Sequence, residues 1–268
     1  MSVGHYENFP VASILLPREL RRPVEAIYRF ARTADDIADE GHAPPEIRLG
    51  KLSVYQGRLA AISAGETPPE PLFRELARAI RDHALPISLF HDLIDAFCQD
   101  VTKKRYASYA EVLDYCRRSA NPVGRLLLHL FKRTAERDLA QSDAICSALQ
   151  LINFWQDVEV DFTHDDRVYL PQDEMARFGV TQIHLLEKLC DASWVALMEF
   201  QVERTRELML SGAPLGRSLP GRIGVEIRAT VEGGLRILEK IQRAGYDVFR
   251  RRPVLKALDW PVVLARAV

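Results

Sequence analysis

Apolar residues recur every three to four positions along most of the chain, which is the period of an α-helix rather than a strand. No segment alternates apolar and polar residues between turn residues, as a half-buried strand would. We therefore predict an all-α fold of about ten helices in a single domain over residues 1–268. The principal predicted helices cover residues 23–41, 44–62, 71–83, 86–101, 108–131, 138–162, 181–210 and 220–246, with a last one after Pro253.

One of these helices carries a proline in its interior. Asn121-Pro122 lies within the segment 108–131. Proline removes a backbone hydrogen bond and clashes with the preceding turn, so we expect a kink or break there. Such a break either shapes a cavity wall or is a plain joint between two helices. By contrast, residues 181–210 are predicted to form one uninterrupted amphipathic helix.

The first predicted helix has a polar stripe. Tyr28, Arg32, Asp35 and Asp39 follow one another at steps of four, three and four residues, so they share a helix face. The acids, with Asp36 beside them, lie near the C-terminus of the helix, where the macrodipole disfavours anions. This concentration of negative charge requires a cation. Arg32 is one, and a bound metal ion would be a stronger one.

A second helix repeats the arrangement. Gln150, Asn153, Asp157 and Asp161 lie at steps of three, four and four residues, which again define one face. If the two faces meet, four carboxylates surround one space. Magnesium prefers such oxygen ligands and is usually shared with a substrate phosphate. Magnesium and arginine together neutralise a diphosphate, so that its bond to carbon can ionise.

Other residues fit the same chemistry. An apolar tunnel between the helices would hold a long chain, and aromatic rings would stabilise a carbocation. The candidates for phosphate contact are Arg32, Arg167, either Arg117 or Arg118, Tyr28 and Ser13, and those for cation contact are Phe9, Phe30 and Phe154. The basic link from Lys103 to Tyr106 is either a solvated connector or a patch that faces phosphate.

Competing interpretations have less support. One Asp-x-x-x-Asp pair is usually solvated surface, but here there are two copies, each with polar residues upstream on the same face. The chain has no Glu-x-x-His motif of a di-iron bundle, no Walker or G-x-G-x-x-G loop, and no G-x-S-x-G elbow. A non-catalytic helical protein that binds a prenyl chain or acts as a scaffold remains the alternative from another class.

Composition narrows the setting. The net charge of −1 gives no electrostatic argument for binding nucleic acid or an anionic membrane. Four cysteines without zinc or C-x-x-C spacing indicate reduced thiols. Neither a signal peptide nor a run of about 18 apolar residues is present. We therefore expect a cytoplasmic protein, and these features are also compatible with peripheral contact with the inner membrane.

The two acidic stretches resemble a known family. AIYRFARTADDIADE resembles the first aspartate-rich motif of the squalene/phytoene synthases, and QLINFWQDVEVDF followed by RVYLP resembles the second. The resemblance extends from Tyr6 to the segment YDVFRRRP, which ends at Pro253. Within the family, HYENFPVASILLP and YCRRSANPVG resemble most closely the bacterial members that form hydroxysqualene for hopanoids.

The resemblance implies a fold, a reaction and a site. The fold would be the prenyl synthase fold with a central cavity, and the enzyme would convert presqualene diphosphate and water into hydroxysqualene and diphosphate. It would use two or three magnesium ions and no nucleotide cofactor. Its pathway neighbours would be a presqualene diphosphate synthase and a hydroxysqualene oxidoreductase. Asp35, Asp39, Asp157 and Asp161, helped by Asp36, would bind metal, and Ser13, Tyr28, Arg32, Gln150, Asn153, Arg167 and Tyr169 would contact substrate.

One stretch departs from part of the family. Relatives that condense two farnesyl diphosphates tend to carry a Gly-rich run after the Tyr-Cys pair, where this chain has RRSANPVG over residues 117–124. We hypothesise that Asn121 contributes a polar amide near the cation and helps to admit water. A condensing synthase that makes squalene, dehydrosqualene or phytoene is the alternative within the family.

Overall fold

Helices form the regular structure of the part of the chain that is described. The computed structural model describes residues 17–39, 41 and 43–268, so Ser13 and Phe9 lie outside the described residues. A single β-bridge, between Arg105 and Val168, accompanies the helices. The helices are α1 (Arg18–Asp39), α2 (Pro45–Ser63), α3 (Pro71–His83), α4 (Ile87–Thr102), α5 (Tyr109–Ser119), α6 (Asn121–Leu130), α7 (Glu136–Gln156), α8 (Val158–Asp165), α9 (Gln172–Arg177), α10 (Gln182–Leu186), α11 (Ala192–Gly212), α12 (Leu215–Ser218), α13 (Gly221–Arg243), a 3₁₀ turn (Ala257–Asp259) and α14 (Trp260–Ala267).

Proline accounts for several helix boundaries, as the sequence predicts. Pro45 and Pro71 begin α2 and α3, and Pro122 lies in the first turn of α6, directly after the break from α5. A proline in the first turn costs no hydrogen bond, since that N–H has no partner within the helix. The first helix differs from the prediction because α1 begins at Arg18, before Pro23.

The prediction of one helix over residues 181–210 is wrong. Short α10 ends at Leu186, and the chain turns before α11 begins at Ala192. Lys188 has a left-handed backbone with φ 51°, and the Asp191 carboxylate accepts a hydrogen bond of 3.0 Å from the Trp194 N–H. Asp191 therefore caps a new helix.

The second acidic helix is divided in two. α7 ends at Gln156 and α8 begins at Val158, with Asp157 between them at φ −106° and ψ 11°. The helical hydrogen bonds continue across this joint. The Asp157 N–H donates to the Asn153 carbonyl at 2.9 Å, and the Asp161 N–H donates to the Asp157 carbonyl at 2.8 Å. The pattern at steps of four therefore persists through the joint.

Two groups of buried apolar side chains form the interior. The first lies among α1–α4 and part of α6, and the second centres on α7, α11 and α13. A cavity of about 300 Å³ lies where the two groups meet, between α1 and α7. Its apolar lining is Val24, Ile27, Ala31, Phe97, Ala120, Val123, Leu127, Cys146 and Leu149.

Close packing fixes one wall of this cavity. A Cβ added at Gly124 of α6 would lie 2.4 Å from Ser142 Oγ and 2.5 Å from Cys146 Sγ of α7. Only glycine permits so close an approach of the two helices. Among the described residues, no helix is long and apolar enough to cross a bilayer.

Candidate active site

The polar stripe of α1 reaches one end of the cavity. Tyr28, Arg32 and Asp35 all line it, as their shared helix face predicts. Arg32 Nη2 lies 2.7 Å from an Asp36 carboxylate oxygen, and its Nη1 lies 3.6 Å from Asp35. Arg32 therefore supplies a cation to two of the acids of this helix end, Asp35 and Asp36. We call Asp35, Asp36 and Asp39 the first acidic edge.

The C-terminus of α1 is held by an arginine that the sequence did not single out. Arg48 of α2 donates hydrogen bonds to the Ala38 and Gly41 carbonyls. These carbonyls carry the partial negative charge of the helix end, so a guanidinium is favoured there. Gly41 has a left-handed φ of 82°, which agrees with its predicted place just after the helix.

The polar stripe of α7 faces the same space. Gln150 and Asn153 line the cavity opposite α1. Asp157 and Asp161, which continue the stripe, form what we call the second acidic edge. The Asp39 charge contributes to the upward shift of the Asp161 pKa, so the two edges lie within electrostatic reach of each other.

Arg167 lies between the two edges. Its Nη2 is 3.1 Å from Asp39 Oδ1 and donates to the Asp100 carbonyl at 2.9 Å, while its Nη1 donates to the Tyr169 hydroxyl at 3.3 Å. Desolvation raises the pKa of both Asp35 and Asp161, and the Arg167 charge opposes that rise at both carboxyls. With its side chain only 6% exposed, this guanidinium is a fixed cation shared by both edges.

Negative charge at the edges still exceeds what the arginines compensate. Desolvation, followed by the Asp39 charge, raises the pKa of Asp35 to about 7, although 38% of its side chain is exposed. Desolvation, followed by the Asp157 charge, raises the pKa of Asp161 to about 8. Both carboxyls therefore favour a proton or a cation near neutral pH.

The C-terminal part of the chain supplies a further arginine. Arg252 donates two hydrogen bonds to the Asp157 carboxylate, from Nε to Oδ1 and from Nη2 to Oδ2, the latter at 3.0 Å. Sequence reasoning missed this residue. The run Arg250-Arg251-Arg252 before Pro253 was visible, but nothing local indicates which arginine folds back to an aspartate 95 positions earlier.

A buried network supports Arg167 from behind. Asp100 of α4 is 2% exposed, and its Oδ2 accepts a hydrogen bond of 2.7 Å from the Tyr115 hydroxyl. Burial raises the pKa of Asp100 to about 7. Tyr169 stacks on Phe154 with ring centroids 3.5 Å apart, and neither residue lines the cavity. Tyr169 therefore positions Arg167 through its hydroxyl.

Several candidates lie elsewhere. Phe30 is fully buried among Tyr55, Phe73 and Phe90, and like Phe154 it does not face the cavity. Of the described aromatic residues, Phe97 and Tyr28 line it. The predictions for Phe30 and Phe154 are wrong because both rings pack into the core clusters.

The polar candidates of the middle helices also lie off the cavity. Asn121 is buried, and its Oδ1 accepts a hydrogen bond of 2.9 Å from Ser147 Oγ, while neighbouring Ala120 lines the cavity. Arg117 and Arg118 both pair with Asp114, at 2.9 and 3.0 Å. Asn121 thus links α6 to α7 through a hydrogen bond. Its predicted effect on the products would therefore act through the relative position of these two helices.

The three cations of the basic link, Lys103, Lys104 and Arg105, have different partners. Lys103 pairs with Glu111, and Arg105 pairs with Asp166 at 2.6 Å. Lys104 lies close to Arg167, because its backbone carbonyl accepts a hydrogen bond of 2.9 Å from the N–H of the next residue, Val168, and desolvation followed by the Arg167 charge lowers its pKa. Two of the three cations are therefore paired with acids, and a role of the link in phosphate binding stays a prediction for Lys104.

The residues present fit magnesium that is shared with a phosphate group. Among the described residues, no three acidic, histidine or cysteine side chains converge as a closed chelate. The site instead has two open acidic edges, in which the carboxyls of Asp35 and Asp161 have a raised pKa. Magnesium characteristically takes one or two carboxylates and completes its shell with water and substrate phosphate. The candidate ligands are Asp35, Asp36, Asp39, Asp157 and Asp161.

A helical fold around an apolar cavity, with acidic edges and arginines at one end, is the arrangement expected of an isoprenoid synthase. The chain belongs to the squalene/phytoene synthase family, whose model matches residues 3–259. It is 36% identical to a hydroxysqualene synthase of Rhodopseudomonas palustris over 258 residues, which cover 96% of this chain and 86% of the relative. It is 28% identical to a 15-cis-phytoene synthase of Synechococcus elongatus, over all of this chain and 91% of the relative.

A solved structure agrees with this assignment. The crystal structure of a squalene synthase from Alicyclobacillus acidocaldarius superposes with a TM-score of 0.83 and 35% identity, covering 90% of each chain. The predicted all-α prenyl synthase fold and the predicted family are confirmed. The chain is therefore an isoprenoid synthase of the squalene/phytoene synthase family.

Proposed function

We propose that this enzyme converts presqualene diphosphate and water into hydroxysqualene and diphosphate. The observation that carries the proposal is that two acidic edges share Arg167 at one end of an apolar cavity. A ligand with a diphosphate head and a long hydrocarbon chain matches that combination of charge and apolar surface. The hydroxysqualene synthase relative, which aligns over nearly the whole chain, supports this choice of substrate.

The roles follow from position. Magnesium bound by the two acidic edges would neutralise the diphosphate. Arg32 and Arg167 would bind phosphate oxygens, and Tyr28, Gln150 and Asn153, which line the cavity, would orient the head group. The apolar lining would hold the hydrocarbon and exclude most water.

In the reaction the carbon–oxygen bond breaks, and the diphosphate leaves with the electron pair. The cyclopropylcarbinyl cation rearranges, one water molecule adds to it, and the proton of that water passes to diphosphate or solvent. Arg32 and Gln150, which line the cavity, are partly exposed, so water has access to the cavity at this end. No redox cofactor enters this balance.

A condensing synthase is the second candidate, supported by the phytoene synthase relative and the squalene synthase structure. Mass spectrometry of products separates the two. The purified enzyme receives presqualene diphosphate alone or farnesyl diphosphate alone, with magnesium or with EDTA and without NADPH. We expect hydroxysqualene from the first substrate only, and only with magnesium. A C30 product from farnesyl diphosphate alone would contradict the proposal and favour the condensing synthase.

A further inference from the structure

The fork between Arg252 and Asp157 occupies a carboxylate that the proposed function assigns to metal. Arg252 Nε bonds one carboxylate oxygen and Nη2 bonds the other. Both oxygens therefore already have a cationic partner. A divalent ion that coordinates either oxygen must compete with a guanidinium of this chain.

Residues next to both partners hold the Arg252–Asp157 contact in place. Gln156, directly before Asp157, is buried and donates its side-chain N–H to the Pro253 carbonyl, directly after Arg252. Proline at 253 restricts the backbone of Arg252 to extended conformations. Lys240 Nζ anchors the next carbonyl, that of Val254, at 2.7 Å. Arg252 is thus held beside the second acidic edge by hydrogen bonds to the two backbone carbonyls that follow it.

Its two neighbours of the same type are placed differently. Arg250 pairs with Asp247 at 3.0 Å, three positions earlier in the chain, and Arg251 is exposed. Among the described ion pairs of this run, only that of Arg252 reaches an acidic edge. The chain therefore offers a matched control residue two positions away.

The distribution of cations makes the role specific. Arg32 serves Asp35 and Asp36, Arg167 serves Asp39, and Arg252 serves Asp157. Among the described residues, Asp161 has no ion pair within 4 Å. Without Arg252, the Asp157 carboxylate would have no ion pair within 4 Å among the described residues.

We propose that Arg252 is a positioning residue, an internal counter-ion that holds Asp157 in the metal-free enzyme and yields it to a divalent metal. This inference rests on the metal role of Asp157 in the proposed function. The Arg252 side chain is 44% exposed, and solvent and salt screen an ion pair at such exposure, so a divalent ion can compete with Arg252 for the Asp157 carboxylate. Metal loading of the second edge is thereby coupled to release of the Arg252 side chain.

The test measures Mn²⁺ binding without substrate, by the free-ion signal in electron paramagnetic resonance. Arg252→Gln removes the competitor, and Arg250→Gln is the control. We expect Mn²⁺ to bind Arg252→Gln about two- to fivefold more tightly than wild type, the gain that corresponds to losing one exposed pair. Arg250→Gln should bind Mn²⁺ as wild type does. Equal or weaker binding by Arg252→Gln would overturn the inference.

Two further variants make the outcome interpretable. Arg252→Lys keeps the charge but loses the fork, so its Mn²⁺ affinity should lie between those of wild type and Arg252→Gln. Asp157→Asn tests the proposed function separately. If Asp157→Asn weakens Mn²⁺ binding while Arg252→Gln does not tighten it, only the counter-ion role fails. If Asp157→Asn leaves Mn²⁺ binding unchanged, the metal role of Asp157 itself fails.

Melting without metal gives a second readout. Arg252→Gln should melt at a lower temperature than wild type in EDTA, because the Asp157 carboxylate then loses the ion pair and both hydrogen bonds that Arg252 gives it. Mn²⁺ should raise its melting temperature by more than it raises that of wild type. An equal rise in both proteins would contradict competition at Asp157.

Discussion

At the scale of single residues, the site is defined by an excess of carboxylate over arginine. Five aspartates on two edges face Arg32, Arg167 and Arg252. Arg167 is the residue on which the arrangement depends most, because it is buried and both edges sense its charge. Its planar fork contacts Asp39, the Asp100 carbonyl and Tyr169 at once, which a lysine ammonium could not reproduce.

Replacing Arg167 by Lys tests that geometry. We expect kcat with presqualene diphosphate to fall by about 10²- to 10³-fold, the range for loss of one preorganised donor to a developing anion. Circular dichroism should remain that of wild type. Exposed Arg217→Lys is the control and should retain full activity. A variant at position 167 with wild-type kcat would show that charge alone is sufficient there.

The acidic edges can be tested against a nearby acid. Asp35→Asn or Asp157→Asn should reduce turnover by at least about 10²-fold, because the diphosphate loses part of its metal-borne countercharge. Asp166→Asn is the control. Asp166 is 68% exposed and has a left-handed φ of 50°, which asparagine tolerates. Similar losses of turnover in all three variants would refute the assignment of the edges.

The raised pKa values predict how stability depends on pH without metal. In the folded protein the pKa of Asp35 is about 7 and that of Asp161 about 8, against about 4 for an unfolded aspartate. Between those values the folded state binds more protons, so these groups destabilise the fold as pH rises from about 4 to 8. Urea unfolding in EDTA at pH 5 and pH 8.5 measures this effect.

The double variant Asp35→Asn/Asp161→Asn should lose this part of the pH dependence, because neither amide titrates. Saturating magnesium should also reduce it in wild type, since the metal favours the ionised carboxyls. An unchanged difference between pH 5 and pH 8.5 in the variant would show that other groups govern the dependence.

At the residue scale, the sequence predicted which side chains of one helix share a face. Tyr28, Arg32 and Asp35 reach the cavity together, as do Gln150 and Asn153, because helical spacing alone puts them on one face. Contacts between distant segments could not be obtained this way. The Arg252–Asp157 fork depends on how the C-terminal segment packs, which no local pattern encodes.

At the scale of elements, the positions where one helix ends and the next begins determine where polar residues lie. The break at Pro122 was predictable because proline acts through its own covalent geometry. The break before α11 was not, since it depends on an aspartate cap at Asp191 and a left-handed Lys188, and both residue types also occur inside helices. Short α9 and α12 were missed because one or two turns give too little periodicity.

The contact between α6 and α7 gives a prediction for this scale. Gly124→Ala should destabilise the protein by about 1–3 kcal/mol, because its methyl group would overlap Ser142 Oγ and Cys146 Sγ. Gly57→Ala in α2 is the control, since a Cβ there has nothing within 4 Å. That change should stabilise the helix by about 0.5–1 kcal/mol. Urea denaturation of both variants measures the contrast, and equal destabilisation would contradict it.

At the scale of the whole molecule, the cavity separates two apolar groups that would otherwise form one interior. Val24, Ile27 and Phe97 belong to one group and Leu149 to the other, and all four line the cavity. Periodicity predicted the helices but not this division, which depends on which helices pack together.

Binding of the head group alone should stabilise this arrangement. Magnesium with inorganic diphosphate at about 100 times the dissociation constant adds about 2.7 kcal/mol. For a chain of this size that corresponds to a rise of roughly 5–10 °C in melting temperature. Magnesium or diphosphate alone should give less, and Asp157→Asn should lose most of the rise. Absence of any shift with both ligands would contradict the assignment of the acidic edges as the site that binds magnesium and diphosphate.

The hollow between the two apolar groups has a consequence for the protein when it is filled. A hydrocarbon chain lying there would touch both groups at once and complete the missing middle of the hydrophobic interior. Substrate would thus act as a structural part while it remains bound, and the empty protein would be the more readily digested by a protease. Release of product would then return the molecule, at each turnover, to its more vulnerable form.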